Sequence, residues 1–340
     1  MKKFSQNFLF AFAFLFGSIA SAQVSLDIRE AELSKNEEQK LQNIIDEPYD
    51  QNVLKTKLIQ IYREKERASF LLKNDKVHEQ VLREWLKADP SDMTPKSRLR
   101  DLLWKNGEKE EATRLGEELI AEAKFPTQKV SRRVELAYLY LQDKDFLKAK
   151  ELITKSEEVV KTELKNQSRS GAGLFWITSA ELGHYMMRSE LESNEGKWTQ
   201  SIESSRIAAS KSNDILKFSN FMREEDQKLL ARRTYLMAQT QVAMRQTDAG
   251  LYSEAEDTYR ETYKKIKEFG FNEKQLPQFL TKVSQLYIAN GQYKVALEYA
   301  KRGKNILEKN NAYQLSPSNI EAQEAIIYSL AGLDEWGAAL

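Results

Sequence analysis

The chain has no cysteine, two histidines, six prolines and thirteen glycines in 340 residues, and its 52 basic side chains almost cancel its 51 acidic ones. Each scarcity excludes something. Without cysteine there is no disulfide, no thiolate metal site and no cysteine nucleophile. Without a basic surplus there is no phosphate-neutralising surface for nucleic acid and no polybasic patch for an anionic membrane. The histidines make no recognisable site: His78-Glu79 opens like a zinc-protease helix, but the second histidine of that spacing falls on Leu82. Gly171-Ala172-Gly173 begins a dinucleotide fingerprint, yet its third glycine falls on Trp176 and no strand precedes it. There is no phosphate-binding loop with a following Lys-Ser/Thr and no G-x-S-x-G elbow. The abundant Glu and Asp stand three or four residues from Lys and Arg, as on solvated helix faces. No catalytic, cofactor-binding or metal-binding residue is assigned, and the expectation is a protein that is not an enzyme.

What is present favours helix. Glu, Lys, Leu, Ala and Gln are plentiful, and no run alternates apolar and polar residues long enough to make a strand. Pro90, Pro95, Pro126, Pro277 and Pro317 fall between apolar-periodic blocks, and Pro48 precedes the first long one. The first 22 residues are of another kind. Lys2 and Lys3, the apolar stretch Phe8 to Phe16 and Ala20-Ser21-Ala22 have the three regions of a cleaved export signal. The apolar run is about half the roughly 20 residues a membrane span needs. Cleavage leaves 318 residues with 50 basic and 51 acidic side chains. The expected location is the bacterial periplasm or the medium, with no membrane insertion after cleavage. Residues 23–52 read as a leading helix or cap, with Leu33, Leu41, Ile44 and Ile45 on its inner edge.

From 53 to 340 the chain reads as helical hairpins. In the clearest, Leu280, Val283, Ser284 and Tyr287 line one helix, Asn290-Gly291-Gln292-Tyr293 turns, and Ala296, Tyr299 and Gly303 line a second. Similar units are marked by Leu99, Leu103, Gly107 and Ala112, by Leu136, Ala137, Tyr140, Phe146, Ala149 and Ile153, by Gly196, Trp198 and Ser201, and by Gly250, Tyr252, Ala255 and Tyr259. Val53 to Ala88 makes a weaker unit, in which His78 stands where a small residue is expected. Asn213 to Glu224 reads as a loop. Ile326, Leu330, Trp336 and Ala339 begin a unit that stops after one turn of its second helix. The early alanines of the second helices recur at intervals of 37 residues between 112 and 149, 41 between 255 and 296, and 43 between 296 and 339.

This arrangement resembles the tetratricopeptide repeat, with repeats longer than the usual ~34 residues. The resemblance implies an all-α, right-handed α-solenoid of stacked helix-turn-helix repeats, with Tyr140, Phe146, Tyr252, Tyr287 and Tyr293 in its core. It also implies a concave surface lined from the first helices, which places Asp101, Trp104, Lys105, Tyr138, Leu141, Gln142, Thr281 and Gln285 in a partner-binding groove. The Lys and Asn with which some family members clamp a C-terminal carboxylate are replaced by Ser97 and Asp101 in one unit and by Val134 and Tyr138 in the next. The expected function is an exported scaffold that binds a protein or peptide and takes no cofactor. Two other readings stand beside it. One is a sensor or regulatory array at the front of a longer protein with a downstream effector such as a caspase-like protease. The other is a spacer in cell-envelope assembly.

Overall fold

The computed structural model describes residues 34–48, 55–167, 171–221, 225–272, 276–309 and 317–334. The export signal, the start of the leading helix, and Trp336 and Ala339 lie outside them. The described residues form α-helices, one π-helical segment (Val160–Leu164) and no strand. A single helix α1 (Lys35–Asp46) is followed by hairpins α2/α3 (Lys55–Leu71, Asp75–Ala88), α4/α5 (Met93–Lys105, Lys109–Ala121) and α6/α7 (Pro126–Gln142, Phe146–Val159). Then come α8/α9 (Gly171–Asn194, Trp198–Ser219), α10/α11 (Glu225–Asp248, Tyr252–Glu268) and α12/α13 (Pro277–Ala289, Tyr293–Lys309). A last helix, α14 (Pro317–Gly332), packs on both α12 and α13.

Local chemistry sets the ends. Pro126 and Pro277 open α6 and α12, where a missing N–H costs nothing. Asp92 and Asp145 cap α4 and α7 by accepting from the amides of Thr94 and Lys148. Ser34 and Glu37 form a reciprocal capping box on α1, and the Lys65 ammonium of α2 donates to the carbonyls of Ile45 and Glu47 at its other end, each at 2.7 Å.

The hairpin turns repeat one geometry. Lys73, Gly107, Lys144, Gly196, Gly250, Gly291 and Asp334 all have positive φ, between 56° and 88°. At Gly107 the turn amide donates to Trp104 O and the next amide to Leu103 O, the Schellman pairing of a left-handed helix stop. The same pair of bonds recurs at Lys144, Gly196, Gly250 and Gly291. The turn residues are separated by 34 positions from 73 to 107, then by 37, 52, 54, 41 and 43. Thus the weak first unit is a true hairpin of 34-residue spacing, and Lys73 and Lys144 carry out the glycine's role at a steric cost.

Counting from that turn residue exposes the seam where the two helices of each hairpin meet. Seven positions before it stand Glu66, Arg100, Ala137, Ser189, Ala243 and Ser284, and five positions after it His78, Ala112, Ala149, Ser201, Ala255 and Ala296; all are buried. Small residues let the backbones approach. In the fourth hairpin the two serines bond across the seam, Oγ to Oγ at 3.3 Å. In the first, His78 Nε2 lies 3.1 Å from Glu66 Oε1, which explains a histidine where a small residue is expected. In the second, the long Arg100 is accommodated because Gly116 leaves space, an added Cβ there falling 2.8 Å from Leu136 and 3.4 Å from Arg100.

Two expectations are corrected. The loop expected over 213–224 is helix as far as Ser219: Ile215 is buried, and the hydroxyls of Ser212 and Ser219 donate back to Ala209 O and Leu216 O inside the helix. Serine therefore does not break the segment, because its hydroxyl is satisfied without leaving it. Phe146 is not core; it sits at a hairpin tip and keeps 39% of its surface.

Candidate ligand-binding groove

First helices stand beside first helices along the stack. α6 packs on α8, α8 on α10, α10 on α12 and α12 on α14. Ion pairs join the earlier ones, Glu66 of α2 to Arg98 of α4, and Arg100 of α4 to Glu135 of α6. One residue past the seam, six before each turn, runs a file of side chains: Arg67, Asp101, Tyr138, Glu190, Met244, Gln285 and Tyr328. Every one of them retains solvent exposure, although their seam neighbours, Tyr328's excepted, are buried. This file is the candidate inner wall.

Its central part is Asp101, Tyr138 and Glu190, contributed by α4, α6 and α8. Burial raises the Tyr138 phenol above its ordinary pKa, a side-chain hydrogen bond from Gln142 pulls it down, and the charges of Glu190 and Asp101 raise it again. Asp101 keeps 37% of its side-chain surface. Its carboxyl is nevertheless held above the usual range, first by loss of hydration and then by Glu135, against the pull of Arg100.

Beneath the wall lies a charged layer. Arg100, fully buried, donates to Asp101 Oδ1 at 2.7 and 2.8 Å and to Glu135 Oε2 at 3.0 Å. Arg132 donates to both oxygens of Glu135, at 3.1 and 2.9 Å. Two guanidinium groups thus face two carboxylates, so the layer is neutral and its hydrogen bonds are shared between adjacent hairpins. Further along, Arg245 of α10 binds Glu190 and Ser193 of α8 and Asp248 of its own helix.

Of the residues expected in the groove, Asp101, Tyr138 and Gln142 come together. Lys105 is exposed but turned to Asp75 of α3 in an ion pair. Leu141 packs against the core. Gln285 is half-buried in α12, three hairpins from Tyr138. Two assignments are overturned. Trp104 is 6% exposed, edge-to-face on Tyr140 at 5.2 Å, with Lys109 Nζ 5.5 Å above its ring. Three residues before the turn, a side chain points over the hairpin tip into the next unit and not onto the inner wall. Thr281 is wholly buried and donates to Pro277 O at 3.0 Å, under the close backbone approach that Gly303 permits. Sequence reasoning missed Arg100, Arg132, Glu135, Glu190 and Arg245. The available signal for Arg100 was an arginine at a position that is small in most other hairpins.

The wall offers acceptors and an aromatic face in steps. Packed helices are about 8–10 Å apart and an extended chain advances about 3.3 Å per residue, so every third residue of an extended peptide meets the next hairpin. Among the described residues no three potential ligands gather as a metal site, and no helix is long and apolar enough to cross a membrane.

No protein-family model matches the chain, and no curated protein matches it in sequence. Solved structures match it in fold. A STAND signal-transduction ATPase with a tetratricopeptide repeat sensor, from Pyrococcus horikoshii, is 14% identical with a TM-score of 0.52 over 90% of this chain. This chain spans 46% of the length of that protein. A Rap protein complexed with Competence and Sporulation Factor is 13% identical, TM-score 0.51, with 96% of this chain and 94% of the other covered.

Proposed function

We propose that this chain, a divergent tetratricopeptide-like solenoid in fold, is an exported, non-catalytic scaffold that holds a protein segment or peptide along its inner wall. The observation that carries the reading is the file Asp101, Tyr138, Glu190: partly exposed polar side chains, from three successive hairpins, above buried seam positions. The Rap protein, which contains Competence and Sporulation Factor in its structure, supports it by likeness of fold. Export is part of the proposal and rests on residues 1–22, with the mature chain beginning at Gln23; intact mass of protein taken from its native compartment tests it, and retention of Met1 would refute it.

Binding is tested by capture from cell-envelope extract with three forms of the mature chain: wild type, Tyr138→Ala with Asp101→Asn, and Glu117→Ala on α5 as a control away from the wall. A central aromatic contact contributes about 2 kcal/mol, or ~30-fold. The partner is expected with wild type and control and lost with the double variant. Equal capture by all three would remove the inner wall as the site.

A second reading is favoured by the STAND protein, whose tetratricopeptide repeats are a sensor. In that reading the array regulates an effector joined to it. Sequencing the gene past the codon for Leu340 separates it from the free-standing scaffold.

A further inference from the structure

The chain's two histidines are both buried, and each has one ring nitrogen without a hydrogen-bond partner, Nδ1 of His78 and Nε2 of His184. Their other nitrogens meet opposite surroundings. His78 Nε2 faces the Glu66 carboxylate at 3.1 Å, so a proton added to that ring has a counter-charge beside it. His184 Nδ1 faces only a hydroxyl, Ser156 Oγ on α7, also at 3.1 Å. Both His184 and Ser156 are wholly buried, and the Tyr185 ring stands edge-on to the imidazole at 5.1 Å.

This pair sits at the joint between the third and fourth hairpins, where α8 packs on α7. On the face of α8 that carries His184, Ala180, Met187 and Leu191 share a core with Ile153, Val160 and Leu164 of the preceding hairpin. One turn past Ser156, α7 gives way to the π-helical segment. The charges that face the ring are already matched. Glu157 of α7 takes Lys161 of the π-helical segment and Arg188 of α8, each at 2.7 Å, and Arg188 also binds Glu192 at 2.8 Å. Glu181 of α8 is held by Lys211 of α9 at 2.5 Å, and Arg133 of α6 donates to the carbonyl of Lys155 at 2.9 Å. Each carboxylate beside the imidazole therefore has its cation.

A neutral imidazole donates from one nitrogen and accepts at the other, so with Ser156 on Nδ1 only one weak group is left idle. The protonated ring donates from both. Its Nε2–H would point into a dry core without an acceptor, its charge would lack a counter-ion, and Arg188 and Lys161 would repel it. Such a ring is stable only where water reaches it. We infer that the α7/α8 joint is an acid-operated hinge: protonation of His184 parts the third and fourth hairpins at Ser156 while the rest of the stack stays folded. α8 also carries Glu190, so the opening shifts it against Tyr138 of α6 and divides the inner wall. That consequence rests on the proposed function; the opening itself does not.

Burial lowers the pKa of the ring from 6.5 to about 4 while the joint is closed. Passing from pH 7.5 to pH 5 therefore favours the open joint by about 30-fold. Hydrogen exchange of the full chain, read by mass spectrometry at those two pH values and referred to the intrinsic rate of each amide, tests the hinge. Protection within 150–164 and 177–191 should fall about 30-fold in wild type, and that of α12 and α13 should hold. In His184→Gln, which cannot take the proton, the fall should be absent. Should that variant not fold, Ser156→Asp takes its place: a carboxylate there gives the charged ring what Glu66 gives His78, and the fall should again be absent. Protection that does not change with pH in wild type, a fall shared by α12 and α13, or a fall that survives the variant would each overturn the hinge.

Discussion

The second and fourth hairpins meet the same steric demand with different chemistry. α4 and α5 are 13 residues each, and their seam sets Arg100 against Ala112. α8 and α9 are 24 and 22 residues, and their seam sets Ser189 against Ser201. In the long hairpin the hydroxyls satisfy one another, Ser201 donating to Ser189 O at 2.7 Å and Ser189 to Ser201 O at 2.9 Å, so nothing is required of neighbouring units. In the short one a guanidinium donates to Asp101 and, at 3.4 Å, to Ser97 Oγ inside its own hairpin, and takes Glu135 from the next. A charge at the seam therefore couples hairpins directly, whereas the seam hydroxyls bond inside their own hairpin, whose link to the next runs instead through Arg245 and Glu190. The same coupling fixes Asp101 and, through it, the floor under Tyr138.

That contrast can be broken most forcefully at Arg100. Arg100→Ala leaves Glu135 and Arg132 as an incomplete buried cluster, and removal of one partner of a buried ion pair costs about 3–5 kcal/mol. Ser201→Ala in the long hairpin should cost only about 1 kcal/mol. Chemical denaturation of both variants decides the matter, and equal losses would mean that the charged layer does not couple the units. Replacing Arg100 by Met, which fills the volume without a charge, should recover part of the loss only when Glu135→Gln is added.

A smaller effect sharpens the comparison through pH. His184 of α8 is fully buried, with Ser156 Oγ 3.1 Å from its Nδ1. Burial, which disfavours the charged ring, lowers its pKa from 6.5 to about 4. The folded value lies below the unfolded one, so the stability it contributes is present above pH 6.5 and is lost as pH falls towards 4. At about 1.4 kcal/mol per unit the span is about 3 kcal/mol. Stability measured from pH 7 to 4 should fall less steeply in His184→Gln than in wild type. Parallel curves would show that the imidazole is not held neutral.

Smallest is the turn. Lys144 takes φ 62° where the turns of the second, fourth, fifth and sixth hairpins use glycine. Lys144→Gly should raise stability by about 1 kcal/mol, since an L-residue in the left-handed region carries that order of strain. Gly107→Lys should lower it by a similar amount, and melting of the pair should displace in opposite directions.

Much of the architecture was legible beforehand because its signals are local. Gly107, Gly196, Gly250 and Gly291 marked turns, and Ala112, Ala149, Ala255 and Ala296 marked the close seam. Lys73 and Lys144 gave weaker turn signals than glycine, and both positions are nevertheless turns, because the backbone bonds of the helix stop tolerate a residue that carries steric strain. The loop expected after Asn213 failed for a related reason: serine content suggests a break, but serines that bond inside a helix do not make one. The groove was legible only in part. Asp101 and Tyr138 stand in the partly exposed file six before the turn, and Gln142, two before it, hydrogen-bonds Tyr138. Trp104 and Thr281 are displaced from that file by three or four residues, enough to carry a side chain to the hairpin tip or under the covering helix. Glu190 and Arg245 lie six before Gly196 and five before Gly250 in the longest helices, so a count from those turn glycines was the signal that would have placed them beside the seam.

Both placements, seam and inner wall, depend on the count from the positive-φ turn. A chain without cysteine allows that count to be tested directly. Ser189→Cys with Ser201→Cys puts two thiols where the hydroxyl oxygens are 3.3 Å apart, within reach of a disulfide. Glu190→Cys with Ser201→Cys shifts one partner by a single residue, onto the inner wall. Under mild oxidation, intact mass should show the first pair fully closed and the second open. Closure of the second pair, or failure of the first, would contradict the register on which the fold and the candidate groove stand.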